Sequence, residues 1–315
     1  MSFEACTIFE SHFHRGAVGL INSLYKKGYR GNFYAGYKGD LPKWAEAATE
    51  NNALEWAGAK TMKVAENITI HFLPIVTTYH LAHYKPSFML RLLKGVGKKS
   101  DGLAYFDPDI VNLCNWAFYE KWMSYGVAMV HEVVSNDMPV THPSRMEWCN
   151  IIKKISRKPK REIHSYINSG FCGVSMKYIE FLELWAQIIE VAIHDYNMDA
   201  ATFLTNDKTA PFYCIDQDAF NITAMCCESP ISEMGPEAMD FVGAGWTMSH
   251  ATGSPKPWKN KFILSALNGN PPTRQHKNYW NNIQDPISIH TDMYVQLRKA
   301  EIMLATFIGR CYRRF

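Results

Sequence analysis

Tyr105-Phe106-Asp107-Pro108-Asp109-Ile110 reads as a short apolar strand that ends in two carboxylates two positions apart. A strand sends alternate side chains to opposite faces, so Asp107 and Asp109 are expected to point the same way. Two hard oxygen ligands on one side of a strand end suit Mg²⁺ or Mn²⁺. An ion held there can bind the phosphates of a nucleotide and neutralise charge as a phosphate departs. An isolated D-x-D is more often a pair of solvated turn carboxylates, so its meaning depends on what the rest of the chain supplies.

Upstream, apolar runs of two different periods alternate. Residues 5–9, 32–37, 68–73 and 103–106 read as buried strands. Residues 16–27 have helical spacing through Val18, Ile21, Leu24 and Tyr25 and stop at Gly28. Residues 42–56 read as a helix with Pro42 in its first turn, and 87–93 as a short helix after Lys85-Pro86. This alternation predicts an α/β fold, a mostly parallel, Rossmann-like sheet covered by helices on both faces. Ligands of such sheets sit at the carboxyl ends of strands, where Asp107 and Asp109 fall. Further along, 127–134 and 171–175 read as strands, 177–194 and 216–226 as helices, and 245–248 as a strand leading to His250. The basic stretch 156–161 reads as a solvated loop, with an anionic ligand as the competing reading. A last helix is expected over 288–315, with Met293, Leu297, Ile302, Leu304 and Phe307 apolar and a basic, aromatic end of Arg310, Tyr312, Arg313, Arg314 and Phe315. A Pro- and Asn-rich stretch at 268–272 precedes it, so the expected division is a main domain over 1–270 and a C-terminal helical appendage over 271–315.

The 315 residues suffice for one large domain or two modest ones. A net charge of +3 is too small to argue for nucleic acid. Aromatic residues make up 13%, which serves ring-stacking surfaces as well as a dense core. No apolar run reaches the length of a membrane span; the nearest, 182–193, is short and contains Glu183, Gln187 and Glu190. The start of the chain lacks the basic-then-apolar pattern of a signal peptide. The eight cysteines form no C-x-x-C pair and several fall in apolar segments, so reduced thiols in a cytoplasmic protein are expected and a zinc site is not.

Three polar segments stand out. Ile167-Asn168-Ser169-Gly170 reads as a glycine-bearing turn before a strand. Asp216-Gln217-Asp218-Ala219-Phe220-Asn221 opens a helix; its side chains suit either capping or hydrogen bonds to sugar hydroxyls. His250-Ala251-Thr252-Gly253-Ser254-Pro255-Lys256-Pro257-Trp258 combines a metal ligand, a glycine turn and a lysine held between prolines, a point charge for phosphate. In this order the parts resemble the GT-A glycosyltransferases of family 8, the retaining galactosyl-, glucosyl- and glycogenin-like enzymes. Those proteins carry a strand ending in D-x-D, then N-[SA]-G, then D-Q-D-x-x-N, then H-x-x-G-x-x-K-P-W. The resemblance covers residues 5–261.

The resemblance implies a GT-A fold and transfer of a sugar from a nucleotide-sugar to a glycan or lipid-linked glycan, with no role for nucleic acid. Asp107, Asp109 and His250 would ligate Mn²⁺ or Mg²⁺, which bridges the donor diphosphate. Lys256 and the Gly253 backbone would hold that diphosphate, and Asn168, Asp216 and Gln217 would face the donor sugar. Lys85 matches the family's basic residue on the helix before D-x-D. The first strand, through Thr7, Ile8 and Phe9, would meet the nucleobase, with uridine the expected base and guanosine or thymidine the alternatives. After that strand the family has an acidic residue and a Tyr; here the stretch is Glu10-Ser11-His12-Phe13-His14. Gln217, a neutral amide, is a poor covalent nucleophile, so front-face attack is expected, the leaving phosphate taking the acceptor proton. An inverting outcome would instead make Asp218 or Glu228 the base. The basic, aromatic tail suits either a peripheral contact with the inner face of a membrane or simple packing on the domain.

Two other classes fit parts of the pattern. Asp107-Pro108-Asp109-Ile110-Val111 matches the nucleophile loop of haloacid-dehalogenase-like phosphohydrolases, but no G-D-x-x-x-D motif follows it. A non-catalytic sugar-binding protein would use the aromatic residues without needing Asp107, Asp109, His250 and Lys256 together. Residues 95–100 look like part of a P-loop, but Lys99 stands where Ser or Thr is required, and a solvated loop is expected.

Overall fold

The computed structural model describes residues 2–132, 138–243 and 245–311. Four parallel strands form the centre of the main sheet: β1 (Phe3–Glu10), β2 (Gly31–Lys38), β5 (Ile68–Pro74) and β6 (Gly102–Phe106). On one side an antiparallel edge is added by β3 (Thr49–Glu50) and β4 (Lys60–Ala65). On the other lie β9 (Ile167–Ser175), antiparallel to β6, then β8 (Val127–His131) and β10 (Ile231–Met234). The nine strands run in the order β10-β8-β9-β6-β1-β2-β5-β4-β3. A separate two-stranded ribbon pairs β7 (Ile110–Asn112) with β11 (Met248–His250).

The central strands are apolar on both faces because both faces are covered. Along β1, Ala5 and Phe9 join one core while Cys6 and Ile8 join the other; along β6, Ala104 and Phe106 oppose Leu103 and Tyr105. The first core lies under α1 (His14–Lys26) and α3 (Trp116–Tyr125). The second lies under α2 (Leu81–Lys94), α4 (Pro143–Lys154), α5 (Glu180–Asp195) and α6 (Ile215–Cys226). The cysteines are free thiols, five of them buried.

The structure corrects the sequence reading at several elements. The expected helix over 42–56 is two 3-10 turns, Lys43–Ala45 and Asn52–Leu54, around β3. Asn51 accepts from the Ala53 amide at 3.2 Å, the local bond by which Asn favours a turn over a helix. The helix expected at 87–93 starts earlier, at Leu81, because the His80 ring caps it by accepting from the Ala82 amide. Asn168-Ser169-Gly170 is no turn: it lies within β9, every residue of which is buried. β8 stops at His131, and Val133 and Val134 of the expected strand lie outside the described residues. The ribbon strand comes at Met248–His250 rather than ahead of His250. The basic stretch 156–161 docks on protein: Arg161 donates to the Ala224 and Ser229 carbonyls, and Lys160 pairs with Glu228 at 2.7 Å.

The C-terminal part comprises α7 (Phe262–Leu267), α8 (Arg274–Asn282) and α9 (Asp292–Cys311); the end of the tail, from Tyr312, lies outside the described residues. Helix α8 lies on α1, and α9 packs on α7 and α8. Buried Asn22 of α1 exchanges two 2.9 Å hydrogen bonds with the backbone of Ile287, and the Tyr279 hydroxyl donates to the Arg15 carbonyl. Trp280 donates to the Pro257 carbonyl at 3.2 Å. Helix α9 has two apolar stripes. Val295, Ile302 and Ala305 are buried, whereas Met293, Leu297, Leu304 and Phe307 form an exposed stripe at helical spacing. Among the described residues no helix is long and apolar enough to cross a membrane.

One close approach ties these parts together. The Trp258 ring wedges against α1 at Gly16, and a Cβ there would lie 2.6 Å from that ring and 2.4 Å from the Pro108 carbonyl. Gly16→Ala should therefore lower stability by about 1–3 kcal/mol, read as an earlier urea midpoint. Gly253→Ala, where a Cβ would meet nothing within 4 Å, should change it by less than about 0.5 kcal/mol.

Candidate active site

The end of β6 delivers Asp107 and Asp109, though not by strand alternation. The strand stops at Phe106, and Asp107-Pro108-Asp109-Ile110 is a β-turn closed by a 3.0 Å bond from the Ile110 amide to the Asp107 carbonyl. Pro108 sits at the second turn position, where its fixed φ is favourable. The ribbon then adds the third group. Antiparallel pairing sets His250 opposite Ile110, and the Ala251 amide donates to the Asp109 carbonyl at 3.1 Å. The His250 Nε2 thus lies 3.3 Å from Asp109 Oδ1 and 3.8 Å from Asp107 Oδ2. Glycine is required at position 170, where a Cβ would lie 2.4 Å from the His250 ring and 2.9 Å from Asp107 Oδ2.

The remaining carboxylate oxygens are held by cations. Lys256 pairs with Asp109 Oδ2 at 2.6 Å and also donates to the Ala251 and Thr252 carbonyls. Lys85 contacts Asp107 Oδ1 and Asp216 Oδ2, each at 3.1 Å, and the Tyr105 hydroxyl donates to Asp107 Oδ1 at 2.8 Å. Burial disfavours charge on Lys85, but Asp107 and Asp216 outweigh it and hold the ammonium above its ordinary pKa. Burial would likewise raise Asp109; His250 and Lys256 outweigh it and hold the carboxyl below the usual range. Asp109 therefore commits Oδ2 to Lys256 and turns Oδ1 toward His250, whereas Asp107 Oδ2 lies 3.8 Å from His250 and also takes a 3.4 Å contact from Lys85.

Donor atoms from these three residues lie within 4.8 Å of one another. Ligands at about 2.1 Å from one hard divalent ion sit roughly 3–4 Å apart, so two carboxylate oxygens and an imidazole nitrogen fit such an ion.

The cluster lies in a cavity of about 650 Å³ at the carboxyl ends of β1, β6 and β8 and the start of β9. Of the residues singled out from sequence, Ile8, Phe9, Lys85, Asp107, Asp109, Asn168, Gln217, Asp218, His250 and Lys256 line it. Thr7, Asp216 and Gly253 do not. Thr7 is buried and donates to the Phe106 carbonyl at 2.7 Å, joining β1 to the end of β6. Asp216 is fully buried under Lys85 and Ser169, whose hydroxyl donates to it at 2.6 Å. Gly253 borders a neighbouring cavity of about 560 Å³, shared with His250 and His276. Glu228, paired with Lys160, is not among the lining residues. Gln217 accepts from the Ser169 amide at 3.0 Å and donates to Glu132 at 2.9 Å. Asp218 accepts from the Tyr166 hydroxyl and the Cys214 amide, each at 2.7 Å, and burial pushes it up to about 7.

Sequence reasoning missed Glu132, Tyr166, Trp148 and Phe203, which also line the cavity. Glu132 had a signal: it directly follows β8, whose carboxyl end shares an edge with that of β6. Phe203 lies in the segment between α5 and α6, where no regular period marks it.

No protein-family model matches the sequence, and no curated protein matches it. Solved structures do share the fold. The bifunctional glycosyltransferase WbbM is 13% identical with a TM-score of 0.53, over 94% of this chain and 51% of that one. This chain thus spans about half the length of WbbM. The galactosyltransferase LgtC, solved with donor and acceptor sugar analogues, is 12% identical with a TM-score of 0.50, over 94% of this chain and 99% of that one. At these identities the likeness is one of architecture: the fold is of the GT-A type.

Proposed function

We propose that this chain is a metal-dependent glycosyltransferase of family 8 that moves a sugar from a nucleotide-sugar, with uridine as the base, to a hydroxyl of a glycan or glycolipid. One observation carries the reading. Two strand-end aspartates and a ribbon histidine converge, flanked by two cations, in a cavity at the sheet edge where GT-A folds place ligands. Residues 1–270 would form the catalytic unit and 271–315 a helical tail docked on it.

Asp107 Oδ2, Asp109 Oδ1 and His250 Nε2 would hold Mn²⁺ or Mg²⁺, whose charge stabilises a departing diphosphate. Lys256, now paired with Asp109, would exchange that carboxylate contact for a phosphate one. Ile8 and Phe9 at the end of β1 supply an apolar surface for the base, and Asn168 and Gln217 a polar wall for the sugar. That wall argues for retention by front-face attack. Both ends of the Gln217 amide are engaged, Asp216 is sealed under Lys85, and both Asp218 oxygens accept hydrogen bonds. The acceptor hydroxyl would attack the anomeric carbon from the leaving-group side, its proton passing to the departing phosphate oxygen.

Asp216 belongs to the support of the site. Removing one partner of a buried ion pair costs about 3–5 kcal/mol, so Lys85→Met should lower stability as well as turnover. The exposed stripe of α9 supports a peripheral contact with the cytoplasmic face of a membrane, the apolar residues entering the headgroup region.

Three measurements check this reading. In a thermal-shift screen of UDP-, GDP- and dTDP-sugars, a UDP-sugar should raise the melting temperature only with Mn²⁺, and Asp109→Ala should abolish that shift. Gly170→Ala should weaken it as well, by pushing His250 off the aspartates. NMR of the product should show the donor's anomeric configuration; inversion would overturn the front-face mechanism. In flotation with anionic vesicles, Leu304→Ser/Phe307→Ser should lose binding that the unmodified chain shows; equal flotation of the two would rule out α9 as the anchor.

A further inference from the structure

Asn168 and Gln217, the two amides of the wall assigned to the sugar, do not present their oxygens to the cavity. Asn168 Oδ1 is turned to the Gly170 amide at 2.8 Å and Gln217 Oε1 to the Ser169 amide at 3.0 Å. What turns them is Glu132. Its Oε2 accepts from Asn168 Nδ2 at 2.7 Å and from Gln217 Nε2 at 2.9 Å. An amide with its N–H₂ fixed on a carboxylate has its carbonyl direction fixed too.

The other acidic groups of this wall are spent. Asp216 is fully buried and holds Lys85 and Ser169. Asp218 accepts through both oxygens. Glu132 differs: it is partly exposed, it lines the cavity, and its Oε1 has no hydrogen-bond partner among the described residues. An ionised carboxylate only accepts, and one in a cavity beside two fixed amides calls for an O–H or N–H donor from the ligand.

We propose that Glu132 is a specificity-determining residue whose free oxygen accepts a hydrogen bond from one hydroxyl of the donor sugar while its other oxygen locks the Asn168 and Gln217 amides. This rests on the glycosyl-transfer reading above. A site built to bond a hydroxyl discriminates strongly against an analogue lacking it, because the acceptor, covered by the bound sugar, is then left unpaired.

The test uses the full chain with Mn²⁺, UDP, and UDP-glucose and UDP-galactose with their monodeoxy analogues, comparing the unmodified protein with Glu132→Ala and Glu132→Gln. Binding is read by thermal shift and turnover by release of UDP. Glu132→Ala should keep the UDP–Mn²⁺ shift, since the nucleotide end of the cavity is untouched, and lose on the order of 10- to 100-fold in kcat/KM for the full sugar. Against one monodeoxy donor that loss should vanish, the variant and the unmodified protein turning it over equally. Glu132→Gln keeps an oxygen for the two amides, so it should retain the unmodified melting temperature and recover part of the turnover. Turnover by Glu132→Ala equal to the unmodified rate would overturn the proposal. So would an equal loss against every deoxy analogue, which would confine Glu132 to holding the two amides. Absence of any nucleotide-sugar shift in the unmodified protein would instead overturn the glycosyl-transfer reading, and this proposal with it.

Discussion

Three carboxylates packed at one sheet edge set the terms for the rest of this structure. Asp107, Asp109 and Asp216 are tied together through Lys85 and His250, Asp109 and Asp216 buried and Asp107 partly exposed, so like charges are brought close. Two ammonium groups make this tolerable. Lys85 joins Asp107 to Asp216 with its side chain 5% exposed, and Lys256 pairs with Asp109 at 2.6 Å. Three carboxylates against two ammonium groups favour a divalent cation over a bare diphosphate.

The backbone makes the arrangement accurate. The Pro108 turn ends β6 and starts the ribbon, so Asp109 is one residue from a paired strand. Ribbon register sets His250 opposite Ile110, and Gly170 of β9 admits its ring. Behind them Trp258 fills the space between α1 and the turn, and Trp280 of α8 donates to the carbonyl of Pro257 beside it. The tail helices thereby reach the site through packing, although none of their side chains lines the cavity.

The pattern of apolar runs in the first hundred or so residues made the sheet legible, because strands buried on both faces carry no other sequence. Helix α1 was legible from its period and its glycine stop. Residues 42–56 were not: their apolar residues are as compatible with short turns on an edge as with a helix, and the Asn51 side chain favours the second of those turns. The aspartates, His250 and Lys256 were visible as short motifs whose order along the chain mattered more than any one of them. For Glu132 the strand before it marked the place but not the role, which lies in two amides, 36 and 85 residues away, that need an acceptor.

The sequence by itself determined the class of fold, the strand end carrying the aspartates and the kinds of side chain available to an ion and a phosphate, because periodicity and residue chemistry are local properties. Tertiary structure alone decided how the aspartate oxygens are shared between His250 and the two lysines. It also withdrew Thr7 and Asp216 from the cavity wall and brought Glu132 into it. Those outcomes depend on strand register and on competition for hydrogen bonds among groups more than a hundred residues apart, as between Asp109 and Lys256, and no local pattern encodes that competition.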